Sequence, residues 1–302
     1  MSTAITFSHY GEPDVLTVTA AEVPDPGPGQ VRIRVRAVAV NLIDVKIRSG
    51  HMDGIFGIRF PMTPGWDVAG VVDATGENAP AAAGDEVFGV ASAGGYSEYA
   101  LLDHPVIRPE GLSAPTAAAL VTVGEAAYRG LAHLDVKAGQ TLLIHGAAGS
   151  VGTIAVQLAV ARGLTVIGTA AAGDLERVTA LGAVAVRYGD GWADRVRAAA
   201  PDGVDAVFDT SGAGVLAESV LLTGDAARVI TIADEAAAEQ GVRFTGADPA
   251  DRFPQALPEL AELAGSGRLS VPIWRTYPLA QAVRAHADLE AGHNHGKIIL
   301  LP

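Results

Sequence analysis

The sequence predicts an α/β protein of two domains, one β-rich and barrel-like, the other a doubly wound parallel sheet. Three observations carry this. The first hundred residues hold short β-branched runs separated by Gly and Pro turns. After about residue 114, apolar strand-like runs alternate with helical or loop segments, the order that gives a parallel sheet covered on both faces. Within that region, Thr141–Gln157 passes from an apolar run through glycines directly into a helical pattern.

Taken in order, Val31–Val40, Val68–Val72 and Glu86–Val90 read as strands, and the turn cluster Pro24-Asp25-Pro26-Gly27-Pro28-Gly29 feeds the first of them. Arg32, Arg34 and Arg36 alternate with apolar residues as on the solvated face of a strand. Ala114–His133 has helical spacing, Gln140–His145 reads as a buried strand, and a second helix runs through Arg162. Further strands are expected at Leu164–Thr169, Val184–Arg187, Ala206–Asp209 and Arg228–Ile232. In the tail, Leu269–Ile273 and Lys297–Leu301 read as strands flanking a helix over Leu279–Ala291, and this segment is expected to return to the first domain. The expected division is residues 1–115, completed by 268–302, with a nucleotide-binding domain over 116–267.

Composition narrows the function. The 302 residues suit two domains, and a net charge of −13 argues against a nucleic-acid partner, since phosphate binding needs clustered Lys and Arg. There is no cysteine, which excludes disulfides, thiolate metal ligands and thiol nucleophiles. The N-terminus lacks a basic segment followed by an apolar one, and no apolar stretch approaches the ~20 residues needed to cross a bilayer. A cytoplasmic protein acting on a small molecule, with no membrane partner, is the expectation.

The glycine-rich stretch carries the chemistry. In His145-Gly146-Ala147-Ala148-Gly149-Ser150-Val151-Gly152 a strand ends and a helix begins, so a pyrophosphate can approach the backbone and meet free amides at the positive end of the helix dipole. Gly149 permits the close approach, Gly152 lets the helix pack on the strand, and Gly146 or Ala147 occupies the tight turn. An NAD enzyme places a carboxylate at the end of the next strand, about 20 residues on, to hold the ribose hydroxyls. Here that position reads Thr169-Ala170-Ala171, without a carboxylate, which favours NADP(H) over NAD(H). Arg177 and Tyr188 could reach a 2′-phosphate, and Asp174 could repel one.

Several segments together resemble one family: Ala39–Gly50 with its Asn41-Leu42-Ile43-Asp44, Phe60–Gly70, Gly84–Gly89, Gly94–Tyr99, His145–Gln157, Leu181–Ala183 and Gly292–Lys297. The chain is similar to the zinc-independent quinone oxidoreductases that include zeta-crystallin, in the medium-chain dehydrogenase/reductase superfamily. The resemblance implies a GroES-like catalytic domain made from both chain ends, a Rossmann domain inserted between them, and commonly a homodimer. It implies that Asn41 faces the nicotinamide, that the loop Ile232–Ala233 runs beside it, and that Lys297 lies near the cofactor phosphates or pocket. Related zinc enzymes hold a metal with Cys, His and a carboxylate; here Asn41 and Gly65-Trp66-Asp67 stand at those positions, and zinc is not expected.

Without a Lewis acid, hydride delivery to a quinone or an α,β-unsaturated carbonyl fits better than alcohol oxidation. Asn41 is a candidate to steady the oxyanion, Lys46 to donate a proton or bond a carbonyl oxygen, and Tyr96 to protonate an enolate. Asp44 is expected to pair with Lys46 or Arg48, shaping the loop. The family's threonine that contacts the nicotinamide amide is replaced by Ala126, for which Thr122 could compensate, while Glu125 could reach into the pocket. Pocket shape is expected to come from His51–Arg59 and Ala233–Phe253. Two alternatives stay open: a biosynthetic reductase or cyclase acting on one specialised metabolite, and a non-redox nucleotide-binding protein.

Overall fold

The computed structural model describes residues 1–55, 57–246, 248–253 and 255–302. In chain order it forms β1 (Ser2–Thr6), β2 (Thr17–Ala21), β3 (Val31–Val40), α1 (Leu42–Arg48), β4 (Asp67–Thr75), β5 (Glu86–Val90), β6 (Tyr99–Leu102) and β7 (Val106–Ile107). There follow α2 (Ala114–Leu134), β8 (Thr141–His145), α3 (Ser150–Ala161), β9 (Thr165–Ala170), α4 (Leu175–Ala180), β10 (Val184–Arg187), α5 (Trp192–Ala199) and β11 (Ala206–Asp209). The chain ends with α6 (Leu216–Thr223), β12 (Val229–Thr231), β13 (Arg243–Phe244), α7 (Ala256–Gly265), β14 (Ile273–Pro278), α8 (Ala282–Glu290) and β15 (Lys297–Leu301). Of the loops expected to shape the pocket, Phe56 in the first and Ala247 in the second lie outside the described residues.

Two compact units result, one of Met1–Thr122 with Leu257–Pro302, the other Val123–Ala256. In the first, β3 is the organising strand. Val31, Ile33 and Val35 point inward while Arg34 and Arg36 face solvent, and Arg32 is held by Asp73. Beyond Val35 the register with β4 shifts at a bulge, and Ala37–Val40 is buried throughout. The strand pairs antiparallel with β4, with β6 along its first half and with β15 along its second, within a seven-stranded sheet ordered β14-β15-β3-β4-β5-β7. Ile5, Phe7, Ile33, Val68, Val87, Leu102, Ile298 and Leu300 share its core.

The second unit is a six-stranded parallel sheet in the order β10-β9-β8-β11-β12-β13. The chain moves outward from β8 to β10, then returns to lay β11 on the other side of β8. Strand order therefore reverses between β8 and β11, the place where such sheets bind nucleotides. Leu143, Ile167, Val186, Val207 and Val229 contribute to a core completed by Val196 of α5 and Leu216 of α6.

The tail differs from its sequence reading. Leu269–Ile273 is not a strand; pairing with β15 starts at Ile273 and runs to Pro278. Pro272 has no N–H to donate, and its carbonyl accepts from Lys297 N just ahead of the ladder. The short strands β1, β2, β6, β7 and β13 were not read in advance, being polar or only a few residues long.

Helix α2 meets the parallel sheet at Gly130. A Cβ there would fall 2.3 Å from Cζ of Phe208 on β11. Gly130→Ala gains up to ~1 kcal/mol of helix propensity, but overpacking against a buried ring costs about 1–3 kcal/mol. The variant is expected to be less stable in urea denaturation; an unchanged or raised midpoint would show that the Phe208 ring yields freely.

Candidate active site

The sheet reversal places the glycine turn. Gly146 has φ +70°, so it occupies the left-handed position of the turn after β8. Ala147 is buried and its N–H donates to Thr169 O at 3.0 Å, tying the turn to β9. A Cβ on Gly152 would lie 2.2 Å from Gly146 O, so only glycine lets α3 start this close to the turn. The first ladder bond of α3 runs from Thr153 N to Gly149 O at 2.9 Å. The amides of Ser150, Val151 and Gly152 precede it and face the helix N-terminus. Ala148, Ser150 and Val151 are half-buried and Gly149 is exposed, so the loop presents its backbone outward.

The loops after β11 and β12 join this rim. Thr210 Oγ1 donates to His145 O at 2.7 Å, and a Cβ on Gly146 would meet that hydroxyl at 2.9 Å. Asp209 is fully buried: its Oδ1 accepts from Ser211 N and Oγ, its Oδ2 from Thr231 Oγ1. Thr231 Oγ1 accepts in turn from Ala233 N at 3.1 Å, and Ile232 N donates to Asp209 O. Ile232 and Ala233, half-buried, thus stand on the same strand-end rim as Gly146–Gly152. Sequence reasoning stopped at Asp209 and missed this brace; the available signal was Asp209-Thr210-Ser211-Gly212 closing an apolar strand, a turn-forming set.

The candidates after β9 divide. Thr169 is buried, and its hydroxyl lies 3.1 Å from His145 Nδ1, turned into the protein. Ser219 Oγ gives its proton to Val215 O, so it accepts from His145 Nε2 at 3.2 Å, and Nδ1 accepts from Thr169. Ala170 O accepts from Tyr188 N, which brings the exposed Tyr188 to the end of β9. Arg177 donates to Asp174 at 2.6 Å, so the anticipated attractor and repeller of a phosphate form a pair.

In the first unit a second constellation is buried. Lys297, at the start of β15, donates to Val40 O at 3.0 Å and to Asn41 Oδ1. Asn41 Nδ2 donates to Asp67 Oδ2 at 2.9 Å; Thr122 N and Oγ1 donate to Asp67 at 3.0 and 2.6 Å. Asp44 Oδ2 accepts from Asn41 N, a capping box opening α1, and from Tyr96 Oη at 3.2 Å. Tyr96 Oη also lies 3.0 Å from His286 Nε2, and buried Arg48 donates to Gly11 O and Glu290. Burial pushes the Asp44 carboxyl up to about 7, with Asp67 adding to the rise. It raises Asp67 too, against the Lys297 ammonium, and lowers Lys297 and His286, the latter to about 3.

This network changes several expectations. The Asn41 amide is engaged within the unit: Nδ2 donates to Asp67 Oδ2 at 2.9 Å and to Ala39 O at 3.4 Å, and Oδ1 accepts from Lys297. Lys297 points into the same network. Tyr96 is fully enclosed, with its ring against Gly65, where a Cβ would fall 2.1 Å away. Lys46 is exposed on α1. Asp44 is held by Asn41 N and Tyr96 Oη, and Arg48 by Gly11 O and Glu290. In the second unit Glu125 accepts from Arg129, from Arg252 at 3.3 Å and from Phe253 N at 3.1 Å, clamping the loop before α7 rather than entering a pocket.

Free helix amides at the switch point of a parallel sheet, in one chain with a β-rich unit holding a buried polar centre, are the make-up of a medium-chain dehydrogenase/reductase. The family described as alcohol dehydrogenase GroES-like domain matches residues 27–109, and that described as zinc-binding dehydrogenase matches residues 181–300. The quinone oxidoreductase of Homo sapiens is 33% identical over 321 residues, covering 99% of this chain and 97% of its own. The 2-methylene-furan-3-one reductase of Solanum lycopersicum is 32% identical over 318 residues, 99% of this chain and 79% of its own. A mycobacterial structure complexed with NADPH superposes with a TM-score of 0.85 at 29% identity, covering 100% of both chains. The chain belongs to the quinone oxidoreductase (zeta-crystallin-like) branch of this superfamily.

The second family description raises zinc, and the residues do not fit it. Of Asn41, Trp66 and Asp67 only one is a carboxylate, its oxygens already take three donors, and an ammonium bonds the neighbouring amide. Among the described residues no group of three or more His, Cys, Asp or Glu is placed to hold a metal ion.

His145 stays neutral in the folded chain to about pH 4 because burial lowers its ordinary value of 6.5. Between those values the unfolded chain binds the extra proton, so stability falls as pH drops from about 6.5 towards 4. His286 acts with the same sign, whereas Asp44, protonated to about pH 7 when folded, loses stability as pH rises from 3.8 to that value. His145→Gln is expected to flatten the acid limb of the melting temperature; an unaltered limb would assign it elsewhere.

Proposed function

We propose that the protein is a zinc-independent, NAD(P)H-dependent reductase of quinones or α,β-unsaturated carbonyls, with NADPH the preferred donor. The observation that carries this is the turn Gly146–Gly152, whose amides and helix N-terminus suit a pyrophosphate at the sheet's switch point. The absence of a carboxylate closing β9 supports NADPH, with Tyr188 and the Asp174-held Arg177 next along the chain. The named relatives act on, or are solved with, molecules of these classes. Ile232 and Ala233 would line the cofactor from the β12 end. The bound cofactor supplies the hydride; the residues of this chain bind it, orient it and keep water away. The same reading takes a cytoplasmic homodimer, measurable by light scattering, and contains no membrane-spanning helix: none among the described residues is long and apolar enough.

The first test is oxidation of NADPH and NADH, followed by nicotinamide absorbance, with 1,4-benzoquinone and with 2-alkenals. Turnover with either class, faster with NADPH, is the expected result; no binding of either cofactor would sink the reading. Gly149→Asp sets a carboxylate where the pyrophosphate approaches and should weaken NADPH at least ~100-fold, about 2.7 kcal/mol. Chelators should leave activity intact, and a loss restored by zinc would overturn metal independence.

A further inference from the structure

Six ionisable side chains are buried together in the first unit: Asp44, Arg48, Asp67, Tyr96, His286 and Lys297. Arg48 is matched by Glu290. Two carboxylates then face one ammonium, and burial favours the protonated form of both, so Asp67 can take up a proton as well as Asp44.

The hydrogen bonds say where that proton can act. Asp67 Oδ2 accepts from Asn41 Nδ2 and Thr122 N, two groups that cannot accept in return. Asp67 Oδ1 faces the Thr122 hydroxyl at 2.6 Å, and a hydroxyl can donate or accept. A proton on Asp67 therefore sits on Oδ1 and reverses that bond, which releases the Thr122 O–H to point elsewhere. A proton on Asp44 leads nowhere comparable, because its Oδ1 has no partner and is buried. Thr122 is itself partly exposed, unlike the six buried groups.

We propose that Thr122 and Asp67 form a proton-delivery pair: Thr122 protonates the carbonyl oxygen of the bound acceptor and is itself reprotonated by Asp67. The inference rests on the reductase reading. Hydride arriving at the electron-poor carbon pushes the π electrons onto the carbonyl oxygen. The Thr122 O–H bond breaks and its proton forms the O–H of an enol or hydroquinone, while the Asp67 Oδ1–H bond breaks and restores the Thr122 hydroxyl. Asp67 is left as a carboxylate held by Asn41 Nδ2, the Thr122 amide and the field of Lys297, and water recharges it through Thr122 once product leaves. NADPH supplies the hydride and solvent the proton, so no further reductant enters.

The elevated carboxyl of Asp67 agrees with this, burial outweighing Lys297 from β15 and the bonds from Thr122 and Asn41. Asp44 and Arg48 on α1, Tyr96, and His286 on α8 complete the titratable and charged groups of its surroundings.

Thr122→Val keeps the shape and removes the hydroxyl. It is expected to lower kcat about 100-fold, within the usual range for a general acid, with a smaller change in KM for NADPH. It should also abolish the solvent deuterium isotope effect and the alkaline limb of the pH–rate profile, while Thr122→Ser retains both. Infrared spectra across a pH titration should show a protonated-carboxyl band that is missing in Asp67→Asn and shifted in Thr122→Val. A Thr122→Val enzyme with the wild-type rate and isotope effect, or a wild type with no band assignable to Asp67, overturns the pair. Failure of the wild type to reduce any quinone or enone would instead overturn the reductase reading and proton delivery with it, whereas turnover without the Thr122→Val effects would overturn the pair alone.

Discussion

The bond from the Lys297 ammonium to the Asn41 amide is the constraint on which the first unit turns. It joins the last strand to the junction of β3 and α1, and through Asn41 it reaches Asp67 at the head of β4 and Thr122 on α2. Lys297, Asn41 and Asp67 are desolvated, so each depends on the others for its hydrogen bonds. Removing one partner from such a set leaves a buried charge or amide unanswered, typically a loss of several kcal/mol. The arrangement therefore acts as one piece, and the chain's two ends are fastened at the same point.

The parallel unit is organised by backbone rather than charge. Gly146 turns left-handed, Gly152 admits a carbonyl at a distance no side chain allows, and Thr210 and Asp209 brace the neighbouring strand ends. Side chains such as Thr169 and His145 satisfy one another inside. What the rim offers outward is mostly amide hydrogen, which suits an anion.

How much of this was legible follows from the range of each interaction. Strands β3, β5, β10, β11 and β15 have the ends read from sequence, because β-branched runs there meet Gly, Pro or charged turns. The glycine turn was legible for the same reason: its requirements of positive φ and close approach are local. The buried network was not, since Asp67 and Thr122 are 55 residues apart and Lys297 and Asn41 are 256 apart. Asn41, Lys297 and Tyr96 were singled out, but as groups facing a ligand, and their partners turn them inward. One hint was present: Lys297 opens the apolar run Ile298–Leu300, an awkward place for a charge without a buried counterpart.

That counterpart also isolates this chain from its metal-using relatives. Placing cysteine at Asn41 and histidine at Trp66 would supply ligands, yet a divalent ion would arrive beside an ammonium with nowhere to retreat. The ammonium would have to go in the same stroke, and its loss alone strips Asp67 and Asn41 of their neighbour's charge. A metal site at this place would therefore take at least three concerted changes, at Asn41, Trp66 and Lys297, rather than one.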